Sequence, residues 1–145
     1  ERFGSMEIIA NAVQTVQANQ NVLFTDAVVG CSNSLLHRVG SGLVTLKGNT
    51  STQCRARYKV HFSGNIAIAA GGTAGPISLA IAINGEGVAS TTMISTPAAV
   101  GDYNNVASSI FIDVPRGCCF EIAVKNVSTQ TINIQNANLI IERVA

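Results

Sequence analysis

Alternation between apolar and other residues constrains the fold of this chain most strongly, and it is clearest from Ser108 to Val144. Four apolar runs in this stretch are separated by turn-forming residues, and within each run the apolar side chains recur at every second position. The alternating residues are Ile110, Ile112 and Val114; Phe120, Ile122 and Val124; Ile132 and Ile134; Leu139 and Ile141. A period of two is typical of antiparallel strands with one buried face, so this stretch predicts a β-sheet.

The rest of the chain continues the pattern. Cys54–Phe62 alternates most regularly, and we expect a turn at Ser63–Asn65 and a further strand at Ile66–Ala69. Ile77–Asn84 predicts another strand, which ends in an Asn-Gly turn and returns as Val88–Thr96. With about ten strands and no convincing helix, the sequence predicts an all-β, ten-stranded, two-sheet sandwich, most simply a jelly roll.

The length of 145 residues fits one domain. We interpret residues 1–5 (Glu-Arg-Phe-Gly-Ser) as a cloning remnant, Met6 as the natural start, and residues 6–145 as a single domain. No apolar run approaches the roughly 18 residues of a membrane helix, so membrane insertion is not expected. The net charge of +1 gives no general attraction to nucleic acid.

Apolar residues make up 47% of the chain and charged residues only 12%, against about 25% charged in an average soluble protein. A large subunit interface is the simplest place for this excess, because obligate interfaces exclude charge. The candidates lie opposite the predicted core faces, where solvated strands would carry polar residues. They are Ala80, Ala82, Phe111, Ala123 and Ile140.

The predicted strand at Cys54–Phe62 also carries the sharpest local feature, a basic face formed by Arg55, Arg57, Lys59 and His61. This row could bind an anion such as an acidic glycan, phosphate or nucleic acid. Two tyrosines and no tryptophan offer little surface for base or sugar stacking, so nucleic acid is not expected as a partner. The alternative is an exposed face or one paired with acids such as Asp113 and Glu121.

The four cysteines, Cys31, Cys54, Cys118 and Cys119, contain no Cys-x-x-Cys pair, which argues against a zinc site. They are either free thiols that pack as small apolar groups or disulfide partners, for example Cys31 or Cys54 with one of the adjacent pair. If the protein is exported, we expect at least one disulfide.

No other constellation predicts chemistry. The two histidines are not accompanied by a nucleophile motif, and the acidic residues show no metal-ligand spacing. We therefore expect no enzymatic activity, no catalytic residues, no metal and no cofactor.

Two segments carry a family resemblance: Ile77–Ser90 (ISLAIAINGEGVAS) and Cys119–Val144. An apolar strand ending in Asn-Gly is followed by a Val-Pro-x-Gly turn, a strand ending in Lys-Asn-Val-Ser-Thr, and the closing INIQNANLIIERV. This order resembles the tumour-necrosis-factor-like jelly rolls, in particular the bacterial members that cap collagen-like fibres on spore surfaces and are similar to the globular head of complement.

The resemblance implies a homotrimer around a three-fold axis, located outside a cell, on a spore or on a virion. A glycan or host-surface receptor is a separate candidate partner, which the loops or the basic strand would bind. This chain departs from the spore proteins because it has no Gly-X-Y stretch, has four cysteines and has a basic strand. Small trimeric jelly rolls also serve as phage or prophage surface proteins, so the resemblance allows that setting too. We expect a structural or recognition module, and the alternative is a carbohydrate- or receptor-binding domain that uses its loops or the basic strand.

Overall fold

The computed structural model describes residues 5–29, 35–38, 40–48 and 55–145 and folds them into two antiparallel sheets. These residues contain one 3-10 turn, Ala89–Thr91, and no α-helix, so the all-β prediction is confirmed. They form twelve strands instead of the predicted ten: β1 Ser5–Ala10, β2 Gln14–Val16, β3 Asp26–Val29, β4 Leu35–His37, β5 Val44–Lys47, β6 Arg55–Ile68, β7 Ile77–Ile83, β8 Glu86–Gly87, β9 Met93–Ser95, β10 Asn104–Pro115, β11 Cys119–Asn126 and β12 Ile132–Arg143.

Each sheet has six strands. Sheet I has the order β10-β6-β12-β1-β3, and β2 pairs with the start of β12. Sheet II has the order β4-β5-β11-β7-β8. Strand β9 pairs with the start of β7, on the same edge of β7 as β8. The core lies between the two sheets, where Tyr58, Phe24 and Phe62 are its largest fully buried side chains. The rings of Phe24 and Phe62 meet edge to face with centroids 6.5 Å apart.

The predicted turn at Ser63–Asn65 is wrong, because β6 runs without interruption through these residues. Strand β6 is paired on both sides, with β10 and with β12, and Gly64 lies opposite Val106 in the first of these ladders. A Cβ atom at Gly64 would lie 3.1 Å from the Phe62 ring and 3.5 Å from the Ala137 Cα. This glycine therefore marks a close approach between strands.

Strand β12 changes its alternation halfway. Ile132 and Ile134 face the core, and so do Leu139 and Ile141, although the two pairs have opposite parity. The register against β6 shifts between Gln135 and Asn138, and Asn136 adopts a positive φ of 57°. This β-bulge adds a residue on one strand and returns the apolar side chains to the core.

The return from β7 is also interrupted, where the sequence predicts one strand over Val88–Thr96. Strand β8 ends at Gly87, the 3-10 turn follows, and pairing resumes only in β9. The buried hydroxyl of Thr91 fills the gap, because it accepts a hydrogen bond from the Ile81 backbone N–H at 2.9 Å and lies 2.7 Å from the Val88 carbonyl. The Asn-Gly turn itself is confirmed, with positive φ at Asn84 and Gly85.

Candidate functional site

The outer face of sheet I carries the predicted basic row. Alternate residues of β6, from Ala56 to Phe62, are fully buried, so Arg55, Arg57, Lys59 and His61 point away from the core. All four belong to one face of one strand, between neighbours β10 and β12.

Two of these basic residues are paired with Asp113 of β10, which lies directly opposite Arg57. The Arg57 guanidinium donates two hydrogen bonds to the Asp113 carboxylate, at 2.8 and 3.2 Å, and Arg55 Nε lies 3.5 Å away. Hydrogen bonding from Arg57 lowers the pKa of Asp113 and raises the pKa of Arg57. Glu121, the other acid considered as a partner, lies in β11 of sheet II and is not available to this row.

The other two basic residues line a shallow depression of about 280 Å³. Lys59 and His61 meet Ser109, Ile140 and Glu142 there. Within the described ranges, the recorded ion pairs all involve Asp113, so Lys59 and Glu142 are not within ion-pair distance of each other. The basic face is thus a mixed surface that includes carboxylates, hydroxyls and apolar groups.

The structure brings the apolar candidates Phe111 and Ile140 onto this same face. Phe111 is opposite Lys59 in one ladder and is 62% exposed, and Ile140 is opposite His61 in the other and is 39% exposed. The two residues lie on either side of β6, and large apolar side chains that are exposed on one face mark contact surfaces in many proteins. The sequence treats the basic row and these two residues as separate features, because the strand pairing that joins them is long-range.

The three alanine candidates are buried, unlike Phe111 and Ile140. Ala80, Ala82 and Ala123 are 1%, 1% and 4% exposed within the single chain. Lys125 pairs with Ala80 and reaches the Gly85 carbonyl at 3.1 Å, so its side chain crosses this side of sheet II. The single chain therefore already covers these three positions, and their assignment to a subunit interface stays a prediction.

The two cysteines within the described residues are free thiols. Cys118 lies in the turn after β10, and Cys119 is the first residue of β11. Cys118 is half-buried against the core, and Cys119 is exposed. Cys31 and Cys54 lie outside the described residues, so a disulfide to either remains a prediction.

Two features were missed in the sequence. Ile94, in edge strand β9, is 67% exposed, which is more than Phe111.

Asn126 belongs to an Asn-Val-Ser sequence of the N-glycosylation type, yet it is fully buried. Its amide donates to the carbonyls of Val16 and Gln130, both at 3.0 Å, and its oxygen accepts from the backbone and hydroxyl of Ser128. Asn126 therefore ties sheet II to β2 of sheet I.

No three His, Cys, Asp or Glu side chains in the described part of the chain are close enough to share a metal ion. No helix there has the length and apolarity needed to cross a membrane.

No protein-family model and no curated protein sequence matches this chain. Solved structures with the same fold do exist. The globular domain of the zebrafish complement 1qA protein has a TM-score of 0.63 and 12% identity, covering 97% of this chain and 95% of that one. Murine APRIL has a TM-score of 0.70 and 11% identity, covering 99% and 100%.

Eiger TNF from S. frugiperda also has a TM-score of 0.70 at 11% identity, covering 100% of this chain and 94% of its own. At this identity the similarity concerns the fold. The two antiparallel sheets described here thus form a jelly roll like those of tumour necrosis factor and complement 1q proteins.

Proposed function

We propose that this protein is a non-enzymatic structural and recognition module that assembles as a homotrimer outside the cell, on a spore surface or on a virion. The exposed pair Phe111 and Ile140, on the outer face of sheet I, is the observation that carries the proposal. The jelly-roll fold supports it, because the resemblance in Ile77–Ser90 and Cys119–Val144 implies a trimer.

The positions of the exposed apolar residues also support a ring. Phe111 and Ile140 lie on a face, whereas Ile94 lies in an edge strand of the other sheet. When an edge of one copy packs on the face of the next, the contact is heterologous, and such contacts form closed rings if the rotation allows it. A three-membered ring is the assembly that we propose.

The composition of the face fits a contact between copies. Asp113 is already held by Arg55 and Arg57, so burial of this end would not leave the three charges unpaired. Lys59 and Glu142 sit beside the apolar pair and supply one charge of each sign for the rim of the interface.

The alternative function is binding of a glycan or a host-surface receptor through loops or the basic row. Asp113 neutralises part of the row at Arg55 and Arg57, which leaves Lys59 and His61 as the remaining basic groups for an acidic ligand. A glycan array on wild type and on the double variant Lys59→Ala/His61→Ala tests this alternative. Loss of a wild-type signal in the variant would favour it, and no binding by either protein would leave the structural role ahead.

Light scattering coupled to size exclusion tests the assembly. Wild type is expected to elute as a trimer, and Phe111→Ser is expected to elute as a monomer because each interface loses a large apolar contact. Leu36→Ser is the matched control, since Leu36 is 44% exposed on the outer face of sheet II. A monomeric wild type at micromolar concentration, or dissociation by Leu36→Ser alone, would overturn the proposal.

The surface location has its own test. Antibodies raised against the purified protein are expected to label intact spores, cells or virus particles of the source organism in immunogold electron microscopy. Labelling confined to the interior of sectioned cells would contradict it.

A further inference from the structure

A second and larger depression, of about 580 Å³, lies on the outer face of sheet II. Strands β4, β5 and β11 form its floor, and Arg38, Ser41 and Leu43 contribute to its rim. Its size falls in the range of small-molecule sites in proteins, about 300–1,000 Å³. The lining side chains used in the argument are Leu36, Arg38, Ser41, Leu43, Thr45 and Glu121.

The rim of the depression is fixed by hydrogen bonds. The Ser41 carbonyl accepts from the backbone of Phe24 at 3.2 Å and lies 3.0 Å from His37 Nε2, and Gly40 donates to the Phe24 carbonyl at 2.8 Å. A Cβ atom at Gly42 would lie 2.7 Å from the Val22 carbonyl oxygen, so this segment lies directly against its neighbour. The lining is therefore pre-positioned, which lowers the entropy lost when a ligand binds.

Two opposite charges share this depression without pairing. Glu121 is held in place by its backbone, which exchanges hydrogen bonds with Asn84 at 2.7 and 2.9 Å. The only ion pairs recorded in the described residues involve Asp113, so the Glu121 carboxylate and the Arg38 guanidinium have no ion-pair partner in that part of the chain. A ligand with both charges could bridge them.

Apolar groups occupy the same depression. Leu36 and Leu43 are 44% and 40% exposed, which leaves aliphatic surface next to the two charges. Thr45 adds a hydroxyl on the floor, directly opposite Glu121 in the ladder between β5 and β11. Carboxylate, guanidinium, hydroxyl and aliphatic surface together match an ammonium, a carboxylate and an aliphatic side chain on one small ligand.

We infer that this depression binds a short zwitterionic peptide or amino acid with an aliphatic side chain. The ligand ammonium binds Glu121, the ligand carboxylate binds Arg38, and the aliphatic side chain packs on Leu36 and Leu43. This site lies at the β4 end of sheet II, at the other end of that sheet from Ile94 and on a different sheet from Phe111 and Ile140, so it does not depend on the proposed subunit contact.

Titration of ¹⁵N-labelled protein with leucyl-leucine tests the inference by NMR. Amide shifts are expected at Thr45 and Glu121, with saturation. The blocked compound N-acetyl-leucyl-leucinamide has the same side chains and no charges, and it is expected to produce much smaller shifts. Light scattering on the same samples records the oligomeric state, so failure of this site and failure of the trimer are distinguishable.

Glu121→Gln and Arg38→Gln are each expected to weaken leucyl-leucine binding by about fivefold, as for an exposed ion pair. Glu86→Gln is the control, because it removes an exposed carboxylate from strand β8, outside the depression. Absence of saturable shifts, equal binding of the blocked compound, or equal weakening by Glu86→Gln would each overturn the inference.

Discussion

The two sheets differ in how exposed the apolar residues on their outer faces are. On sheet II, Ala80, Ala82 and Ala123 are almost fully buried within the chain, beneath a surface that includes Lys125. On sheet I, Phe111 and Ile140 are left exposed. Small side chains on a second strand face thus accompany coverage by the same chain, whereas large exposed apolar side chains mark the surface that a partner could cover.

The largest expected effect comes from the exposed face of sheet I. The double variant Phe111→Ser/Ile140→Ser removes two apolar contacts from each proposed interface, which is worth about 2–4 kcal/mol per interface. The chain is expected to remain folded, since neither side chain belongs to the core. Sedimentation velocity with circular dichroism measures both properties. Unfolding of the variant, or an unchanged trimer, would contradict the assignment of Phe111 and Ile140 to a subunit contact.

Loss of the buried Asn126 amide, which links the two sheets, is expected to have the second largest effect. Asn126→Ala is expected to lower the free energy of unfolding by about 2–4 kcal/mol, because it leaves the carbonyls of Val16 and Gln130 without their donor. Chemical denaturation measures the change. Asn133→Ala is a suitable control, since Asn133 makes its recorded side-chain bond at an exposed position with Thr15. Equal losses in the two variants would contradict the assigned role of Asn126.

Close packing around Ala82 on sheet II predicts a loss of stability of similar size. Ala82→Leu is expected to destabilise the chain by about 1–3 kcal/mol, because the added atoms must displace the groups that already cover this position. If Ala82 instead faced a partner, the same variant would change the oligomeric state more than the stability. Denaturation and light scattering on one sample distinguish these outcomes.

The smallest effect concerns the ion pairs on sheet I. Because the folded pKa of Asp113 lies below its ordinary value of 3.8, the carboxylate stabilises the fold above that pH, and this contribution disappears as the pH falls through the folded pKa. Asp113→Asn is expected to remove this part of the acid dependence while leaving stability at neutral pH slightly lower. Urea denaturation from pH 2 to pH 7 checks it; identical pH profiles would show that the pairs contribute nothing.

Local patterns in the sequence predict much of this fold. Alternation over Cys54–Phe62, Ile77–Asn84 and Ser108–Val144 predicts the strands, and the Asn84-Gly85 dipeptide predicts the tight turn. These features depend only on neighbouring residues, so they can be read without the fold.

The errors arise where distant residues decide the structure. Ser63–Asn65 has turn-like composition, but ladders on both sides of β6 keep it extended. Asp113 and Glu121 look equivalent as partners for the basic row, yet strand order places them in different sheets. The exposure of Phe111 and the burial of Ala80 likewise depend on what else the chain places over each face.

The candidate surface was predicted only as separate residues. The basic row is visible as alternation in one strand, but its proximity to Phe111 and Ile140 follows from the pairing of β6 with β10 and β12. Alternation within Leu139–Ile141 separates Ile140, which is exposed, from Ile141, which is buried, whereas the bulge at Asn136 depends on the long-range register of β12 against β6.

We propose that the outer face of sheet I joins three copies of the chain. Sedimentation equilibrium of the wild-type protein at micromolar concentration tests it most directly. We expect a single species with three times the 15.0 kDa mass of the chain. A species of 15.0 kDa across that concentration range would contradict it.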